Sequence, residues 1–194
     1  MPDVSLRPAT ADRAADALAV LASGGGAACC CQYWRLSSSA YSRASVEERR
    51  TLLTAETAAT PVPGILAYVQ GIPAGWCGFG IRTRMERLVR SRTIPVVDDV
   101  PVWCIVCFTV RVGYRRAGLS RALLAGVIDY ARENGAPALE AYPIDPAGQR
   151  VHATAAYVGT SGMFEEAGFH RVAETEARSA GRPRCLMRLD LRRG

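Results

Sequence analysis

The turn at residues 115–120, Arg-Arg-Ala-Gly-Leu-Ser, places cationic side chains and a glycine where a helix is expected to begin. A nearly unbroken apolar run, Trp103–Val110, precedes the turn and predicts a strand buried on both faces. The first N–H groups of a helix have no intrahelical partner, and the helix dipole attracts anions to them. Gly118 lets the backbone approach a ligand closely, and Arg121 adds positive charge. The turn therefore predicts a site for a phosphate-bearing cofactor.

These residues resemble the acetyl-CoA signature of the GNAT superfamily of N-acetyltransferases, Q/R-x-x-G-x-G/A. Arg115 stands at the first position and Gly118 at the first glycine, whereas Ser120 replaces the final small residue. Serine is nearly as small, and its hydroxyl can donate to a phosphate oxygen. The resemblance extends over about residues 64–191 and implies acetyl-CoA as acyl donor and co-substrate. The alternative is a strand–helix–strand unit whose basic turn is incidental.

The resemblance implies two roles for the backbone around this turn. N–H groups near the end of the preceding strand would hold the pantetheine and stabilise the negative charge that develops on the thioester oxygen. The turn itself would bind the pyrophosphate. The cofactor-binding residues expected on this basis are Val110, Arg111, Val112, Arg115, Arg116, Ala117, Gly118, Leu119, Ser120 and Arg121.

Hydrophobic periodicity and turn signals predict a mixed α/β fold with a mostly antiparallel sheet and one central parallel strand pair. Helices are expected near 10–21, 45–58, 119–134 and 160–167, and strands near 64–69, 74–81, 103–110, 138–142, 169–174 and 184–191. Residues 82–92, with five arginines, are expected to form a short helix or an exposed arm. The resemblance implies that the parallel strands splay apart and admit the pantetheine arm.

Length and composition predict one domain, 1–194. The strand, turn, helix and strand at about 103–145 are expected to form its cofactor-binding core. The apolar and charged fractions, 49% and 22%, are those of an ordinary soluble globular protein. No apolar run is long enough to span a bilayer, and charged residues interrupt the N-terminus, so no secretory signal is visible. We expect a cytoplasmic monomer or homodimer without a membrane partner.

The formal net charge is +6, and every basic residue other than histidine is an arginine. These arginines are mostly scattered, whereas a nucleic-acid site would need a basic stripe with interleaved aromatic residues. No nucleic-acid partner is therefore expected. A modest positive charge suits a protein whose cofactor is a polyanion.

The seven cysteines, three of them adjacent at 29–31, do not have the pattern of a disulfide framework. Cys104 and Cys107 are spaced as C-x-x-C, but residues three apart in a strand point to opposite faces. This spacing therefore predicts neither a redox site nor a zinc site. The two histidines, His152 and His170, are distant in sequence from any cysteine. Buried free thiols and no bound metal are expected.

Acetyl transfer to an amine requires a proton acceptor for the amine and gains from a proton donor at the departing sulfur. Many members of the family carry a tyrosine four residues before the glycine of a Gly-Phe pair. Here the pair is Gly168-Phe169, and Phe164 occupies that position. Tyr157 and Tyr142 are the alternative candidate donors, and Glu140 is the candidate base. Packed tyrosines, and a carboxylate paired with arginine, are the structural alternatives for these three residues.

The acceptor is expected to be an amine of low pKa. Deprotonating a lysine-like amine at pH 7 costs roughly 4.6 kcal/mol, against about 1.4 kcal/mol for an α-amino group. The sequence shows no obvious strong base, so the second kind of amine is preferred. Its binding site is expected to include Tyr33, Trp34 and Trp76, unless these are core residues, together with the loop at 143–156.

The sequence thus predicts an acetyl-CoA-dependent N-acetyltransferase that acts on a primary amine of a small molecule. A protein or peptide N-acetyltransferase is one alternative. A non-catalytic acyl-CoA-binding module is another, because phenylalanine replaces the usual tyrosine at position 164. A nucleic-acid-binding protein is the third, and it would show steeply salt-dependent affinity.

Overall fold

A computed structural model describes residues 3–23, 28–146, 157–179 and 181–192; most of the expected loop at 143–156 lies outside these ranges. Within them the strands are β1 (Val4–Pro8), β2 (Gly64–Val69), β3 (Ile72–Ile81), β4 (Trp103–Val110), β5 (Ala138–Ala141), β6 (His170–Ser179) and β7 (Arg182–Asp190). The helices are α1 (Ala14–Ser23), α2 (Ser38–Arg43), α3 (Val46–Glu56), α4 (Glu86–Val89), α5 (Leu119–Glu133) and α6 (Ser161–Glu166).

One sheet contains all seven described strands, in the order β1-β2-β3-β4-β5-β7-β6. Every neighbouring pair is antiparallel except β4–β5, which is parallel. The predicted mixed α/β fold is confirmed. The parallel pairing covers only residues 103–105 of β4, opposite 139–141, although β4 continues to Val110. The two strands therefore part halfway along β4.

Local sequence signals account for most elements. Gln70 and Gly71 connect β2 to β3 with φ angles of 51° and 77°, and two positive φ values are what a two-residue hairpin turn requires. Ser45 and Glu48 form a capping box at the start of α3, where the Ser-x-x-Glu pattern favours the start of a helix. The sequence analysis missed β1 and α2. Neither element has a clear apolar pattern, because β1 is partly exposed and α2 has no buried residue.

Helix α5 packs its apolar stripe on the sheet and so fixes where its N-terminus lies. The buried stripe consists of Leu119, Leu123, Leu124, Val127, Ile128 and Ala131. A Cβ atom at Gly75 of β3 would lie only 3.0 Å from the Leu123 side chain, so the approach of helix to sheet depends on that glycine. None of the described helices combines the length and apolar character needed to cross a membrane.

A β-bulge in β4 corrects the prediction for the C-x-x-C cysteines. The register of β3 and β4 shifts after the Gly78–Cys107 pair, where Val106 is an extra residue on β4. Cys104 pairs with Gly80, so both cysteines face the same side of the sheet. The expectation that they point to opposite faces was wrong, because sequence does not reveal the bulge. Within the described ranges, no three His, Cys, Asp or Glu side chains are grouped so that they could hold a metal ion.

Truncation of the α5 stripe is expected to destabilise the fold. Leu123 is fully buried, so Leu123→Ala should lower the free energy of unfolding by about 2–5 kcal/mol, measured by urea denaturation. Leu52→Ala on α3, where the side chain is 39% exposed, should cost less than about 1 kcal/mol. Equal losses in the two variants would contradict this packing of α5.

Candidate functional site

The bend between β4 and α5 exposes its backbone. Residues 115–118 are exposed, and Arg116 and Gly118 have φ angles of 62° and 79°. No described residue accepts a hydrogen bond from the N–H groups of residues 116–120. A Cβ atom at Gly118 would have no heavy atom within 4 Å. The bend therefore presents a run of backbone donors and open space to an anion.

The arginines of the bend have different partners. Arg115 donates from Nε to the Val110 carbonyl at 3.0 Å, whereas Arg116 is exposed. Arg121 forms a two-pronged ion pair with Glu166 at 2.6 and 3.0 Å, and this pairing lowers the pKa of the Glu166 carboxyl. The positive charge expected from Arg121 is thus largely neutralised by α6. The remaining attraction for an anion comes from the backbone and from the other two arginines.

Backbone geometry at the end of β4 determines which N–H groups are open. Arg111 donates its N–H to a β3 carbonyl at 3.0 Å, and its guanidinium donates to another. Its backbone N–H is therefore not open to a ligand. Because alternate residues of an antiparallel strand point to opposite edges, the N–H groups of Phe108 and Val110 point away from β3. Phe108 donates to the Tyr157 carbonyl at 2.6 Å. Val112 follows the strand and is 69% exposed.

A cleft of ≈ 840 Å³ lies on the side of the sheet away from α5. Tyr33 and Trp34 line it, with ring centroids 5.2 Å apart and edge-to-face geometry. Trp34 also belongs to a buried apolar cluster that includes the β4 residues Cys104 and Val106. Trp76, by contrast, is fully buried among α1, α3 and the sheet and does not line the cleft. The structure therefore brings together two of the three expected aromatic residues.

Tyr157 lies where β4 and β5 part. Its carbonyl accepts from Phe108, and its hydroxyl, in the cleft, accepts a hydrogen bond from Arg184 at 3.0 Å. Burial raises the pKa of the Tyr157 phenol, while the Arg184 guanidinium acts in the opposite direction with smaller effect. The phenol therefore keeps its proton at neutral pH. It is a proton donor placed beside the open edge of β4.

Glu140 and Tyr142 belong to a buried ion-pair network instead of the cleft. Glu140 is 2% exposed; its Oε1 accepts from Arg188 at 2.7 Å, and its Oε2 accepts from the Tyr142 hydroxyl at 2.9 Å. Arg82 lies 3.6 Å from Oε2, and Arg188 also pairs with Asp98. Burial raises the pKa of the Tyr142 phenol well above its usual value. These contacts match the structural alternative for both residues.

Phe164, at the position where the family often has tyrosine, is a core residue. It is fully buried and packs edge-to-face on Phe108 and Phe169, with ring centroids 6.2 and 5.1 Å away. This position therefore cannot supply a proton.

The sequence analysis missed the charged residues that line the cleft from β6 and β7. Glu176 and Arg178 of β6 and Arg184 of β7 all face it. No motif marks them, since they meet Tyr33 and Trp34 only after the two ends of the chain fold together. The alternation of charged residues along β6 was the available signal, but it indicates a solvent-facing strand equally well.

The sequence profile described as the Acetyltransferase (GNAT) family matches residues 29–157. The matched region contains the bend, α5 and the parallel strand pair. No curated protein matches the chain.

Several solved structures have the same fold. A GNAT acetyltransferase from Streptococcus pneumoniae is 18% identical, with a TM-score of 0.57 and coverage of 97% of this chain and 99% of that one. The yncA protein of Salmonella typhimurium, solved with its cofactor acetyl-CoA, is 16% identical, with a TM-score of 0.59 and coverage of 98% and 95%. The ribosomal-protein-S18-alanine N-acetyltransferase of Escherichia coli is 13% identical, with a TM-score of 0.56 and coverage of 99% and 96%. At these identities, the similarity shows a common fold and no more.

Removing the charge of Glu140 is expected to destabilise the protein. Glu140→Gln leaves two buried or half-buried arginines without their shared carboxylate and should lower the free energy of unfolding by about 3–5 kcal/mol, measured in urea. Glu174→Gln removes an exposed carboxylate that pairs with Arg171 at 2.8 Å, and should cost less than about 1 kcal/mol. An unchanged unfolding midpoint for Glu140→Gln would refute the structural role.

Proposed function

The chain belongs to the GNAT acetyltransferase family, and we propose that it transfers the acetyl group of acetyl-CoA to the primary amine of a small molecule. The observation that carries this proposal is the bend before α5, which is exposed at residues 115–118 and in which the N–H groups of residues 116–120 have no partner among the described residues. The solved relative that contains acetyl-CoA supports the choice of acyl donor. A cytoplasmic location and a monomeric or homodimeric state remain predictions from the sequence.

The bend fits the diphosphate of the donor. Its unpartnered N–H groups lie at the start of α5, where the helix dipole favours negative charge, and the space beside Gly118 is open. When bound, acetyl-CoA would supply a thioester whose acyl group passes to the amine. The Val110 N–H, which points away from β3 at the open edge of β4, would donate to the carbonyl oxygen as negative charge develops there. Arg115 donates to the Val110 carbonyl, which belongs to the next peptide unit, and so restrains the end of β4 beside this N–H group.

Tyr157 would protonate the departing sulfur. Its phenol is protonated at neutral pH, and Arg184 orients the hydroxyl in the cleft. General acid catalysis contributes typically ~10²–10⁴-fold, so a donor here compensates for Phe164. A positioned phenol has no evident use in a non-catalytic acyl-CoA-binding module, and this favours the enzyme.

The acceptor amine would enter the cleft beside Tyr33 and Trp34. Glu140 has both carboxylate oxygens engaged and does not line the cleft, so we do not retain it as the base. Glu176 is the one carboxylate among the described residues that line the cleft, and it is exposed. A weak base of this kind suits an amine that loses its proton readily.

Release of thiol from acetyl-CoA with a panel of amines tests the proposed function. The panel contains small primary amines, a peptide with a free α-amine and a peptide whose only amine is lysine. Turnover with small amines supports the proposal, and turnover with peptides alone supports the protein-directed alternative. Binding of CoA without turnover on any acceptor would indicate a sensor.

Blocking the bend should weaken binding of the donor. Gly118→Trp fills the open space beside the N–H groups and should raise the Kd for CoA at least about tenfold, measured by calorimetry. Gly135→Trp is the matched control, because Gly135 has a φ of 72°, no heavy atom within 4 Å of its Cβ position, and a place at the other end of α5. Normal CoA affinity in Gly118→Trp would show that the diphosphate binds elsewhere.

Loss of the Tyr157 hydroxyl should slow the reaction without weakening donor binding. Tyr157→Phe keeps the ring and the backbone contact to Phe108, so kcat should fall about 100-fold while the Kd for CoA is unchanged. Tyr68→Phe removes a hydroxyl that donates to Asp16 at 2.6 Å on another part of the sheet, and should leave kcat within about twofold. A Tyr157→Phe enzyme with normal kcat would eliminate this residue as the acid.

A further inference from the structure

The cleft contains a buried cation that no carboxylate of the protein neutralises. Arg184 lines the cleft and is only 3% exposed. It forms no ion pair in the described part of the chain. The residues outside the described ranges include no Asp or Glu. The charge of Arg184 therefore lacks a side-chain counterion.

Other groups hold the Arg184 guanidinium in a fixed position. Nη1 donates to the Tyr142 carbonyl and Nη2 to the Tyr157 hydroxyl, both at 3.0 Å. The Cζ atom lies 5.7 Å from the ring of Trp34 and 5.2 Å from that of Tyr157, within cation–π range. A guanidinium has five N–H donors, so these two hydrogen bonds do not use all of them. The cation is preorganised and incompletely satisfied.

The buried guanidinium is suited to an anionic ligand. A buried charge is costly unless it is paired, and a planar guanidinium matches a carboxylate or a phosphate group. The rim of the cleft has the same sign of charge. Arg87, Arg92 and Arg178 line it against the single carboxylate of Glu176. Such a surface draws anions towards the cleft.

We propose that the acceptor is an amine carrying a carboxylate or phosphate group, and that Arg184 binds this group. The inference rests on the proposed function, because it assigns the substrate of the same site. Arg184 contacts the Tyr157 hydroxyl directly, so the anionic group lies only a few bonds from the reacting amine.

Matched pairs of amines provide the test. L-alanine is compared with L-alaninamide, L-phenylalanine with L-phenylalaninamide, and phosphoethanolamine with ethanolamine, by thiol release from acetyl-CoA. The anionic member of at least one pair is expected to have the higher kcat/KM, by about tenfold or more, mainly through a lower KM. The pair that shows the preference distinguishes a carboxylate from a phosphate.

Variants of Arg184 attribute the preference to this side chain. Arg184→Gln should reduce the ratio between the two members of a pair to near one, and Arg184→Lys should retain part of it. The ratio is the readout, because loss of the contact to Tyr157 is expected to lower kcat for every amine. Arg178→Gln at the exposed rim should reduce the ratio a few-fold even if Arg184→Gln does not fold. Arg7→Gln, an exposed arginine on the far edge strand β1, removes the same charge and should leave the ratio unchanged.

Several results would overturn the inference. One is equal or better use of the neutral amines by the wild-type enzyme. Another is a ratio of kcat/KM between the anionic and the neutral amine that is unchanged in folded Arg184→Gln. A rise in the Kd for CoA in Arg184→Gln that accounts for the whole effect would place a cofactor phosphate on this residue instead. If no amine is acetylated, the proposed function fails separately. Calorimetry of the same amines with the CoA-saturated protein then decides: binding of anionic members alone supports the anion site, and any other pattern rejects it.

Discussion

The site depends on the parting of β4 and β5 in the middle of the sheet. Backbone N–H and C=O groups within a sheet require partners, and a strand that continues beyond its neighbour leaves them open. Here the pairing ends after residue 105, while β4 runs on to Val110. The Tyr157 carbonyl satisfies one of these groups by accepting a hydrogen bond from the Phe108 N–H. The next N–H along that edge, at Val110, is where the proposed reaction would take place.

The opening between β4 and β5 lies between two surfaces with different chemistry. On the α5 side, the bend offers backbone donors, and their attraction for a diphosphate depends on the helix dipole and not on Arg121, which is paired with Glu166. On the opposite side, the cleft offers aromatic rings and a buried arginine. Tyr157 lies between the two, with its carbonyl in the sheet and its hydroxyl in the cleft. A donor on one side and an amine on the other would therefore meet at this residue.

The two buried arginines of β7 differ in their partners: one is paired with carboxylates of the protein and the other is not. Arg188 pairs with Glu140 and Asp98, so its charge is neutralised within the protein. Among the described residues, the partners of the Arg184 guanidinium, four residues earlier on the same strand, are a carbonyl, a hydroxyl and aromatic rings. Since a buried charge is costly without a counterion, the first arginine stabilises the fold. The second is the one that we propose binds a ligand.

The sequence by itself determined the features that depend on residues near one another in the chain. These include the strand at 103–110, the bend with Gly118, the helix after it, the capping box of α3 and the family resemblance, because apolar periodicity and turn chemistry are local. Only the tertiary structure decided that Val106 forms a bulge, that Glu140 is paired and that Trp76 lies in the core. It also brought Arg184 to the cleft. Each of these outcomes depends on contacts between strands distant in sequence, and no local pattern of residues encodes such contacts.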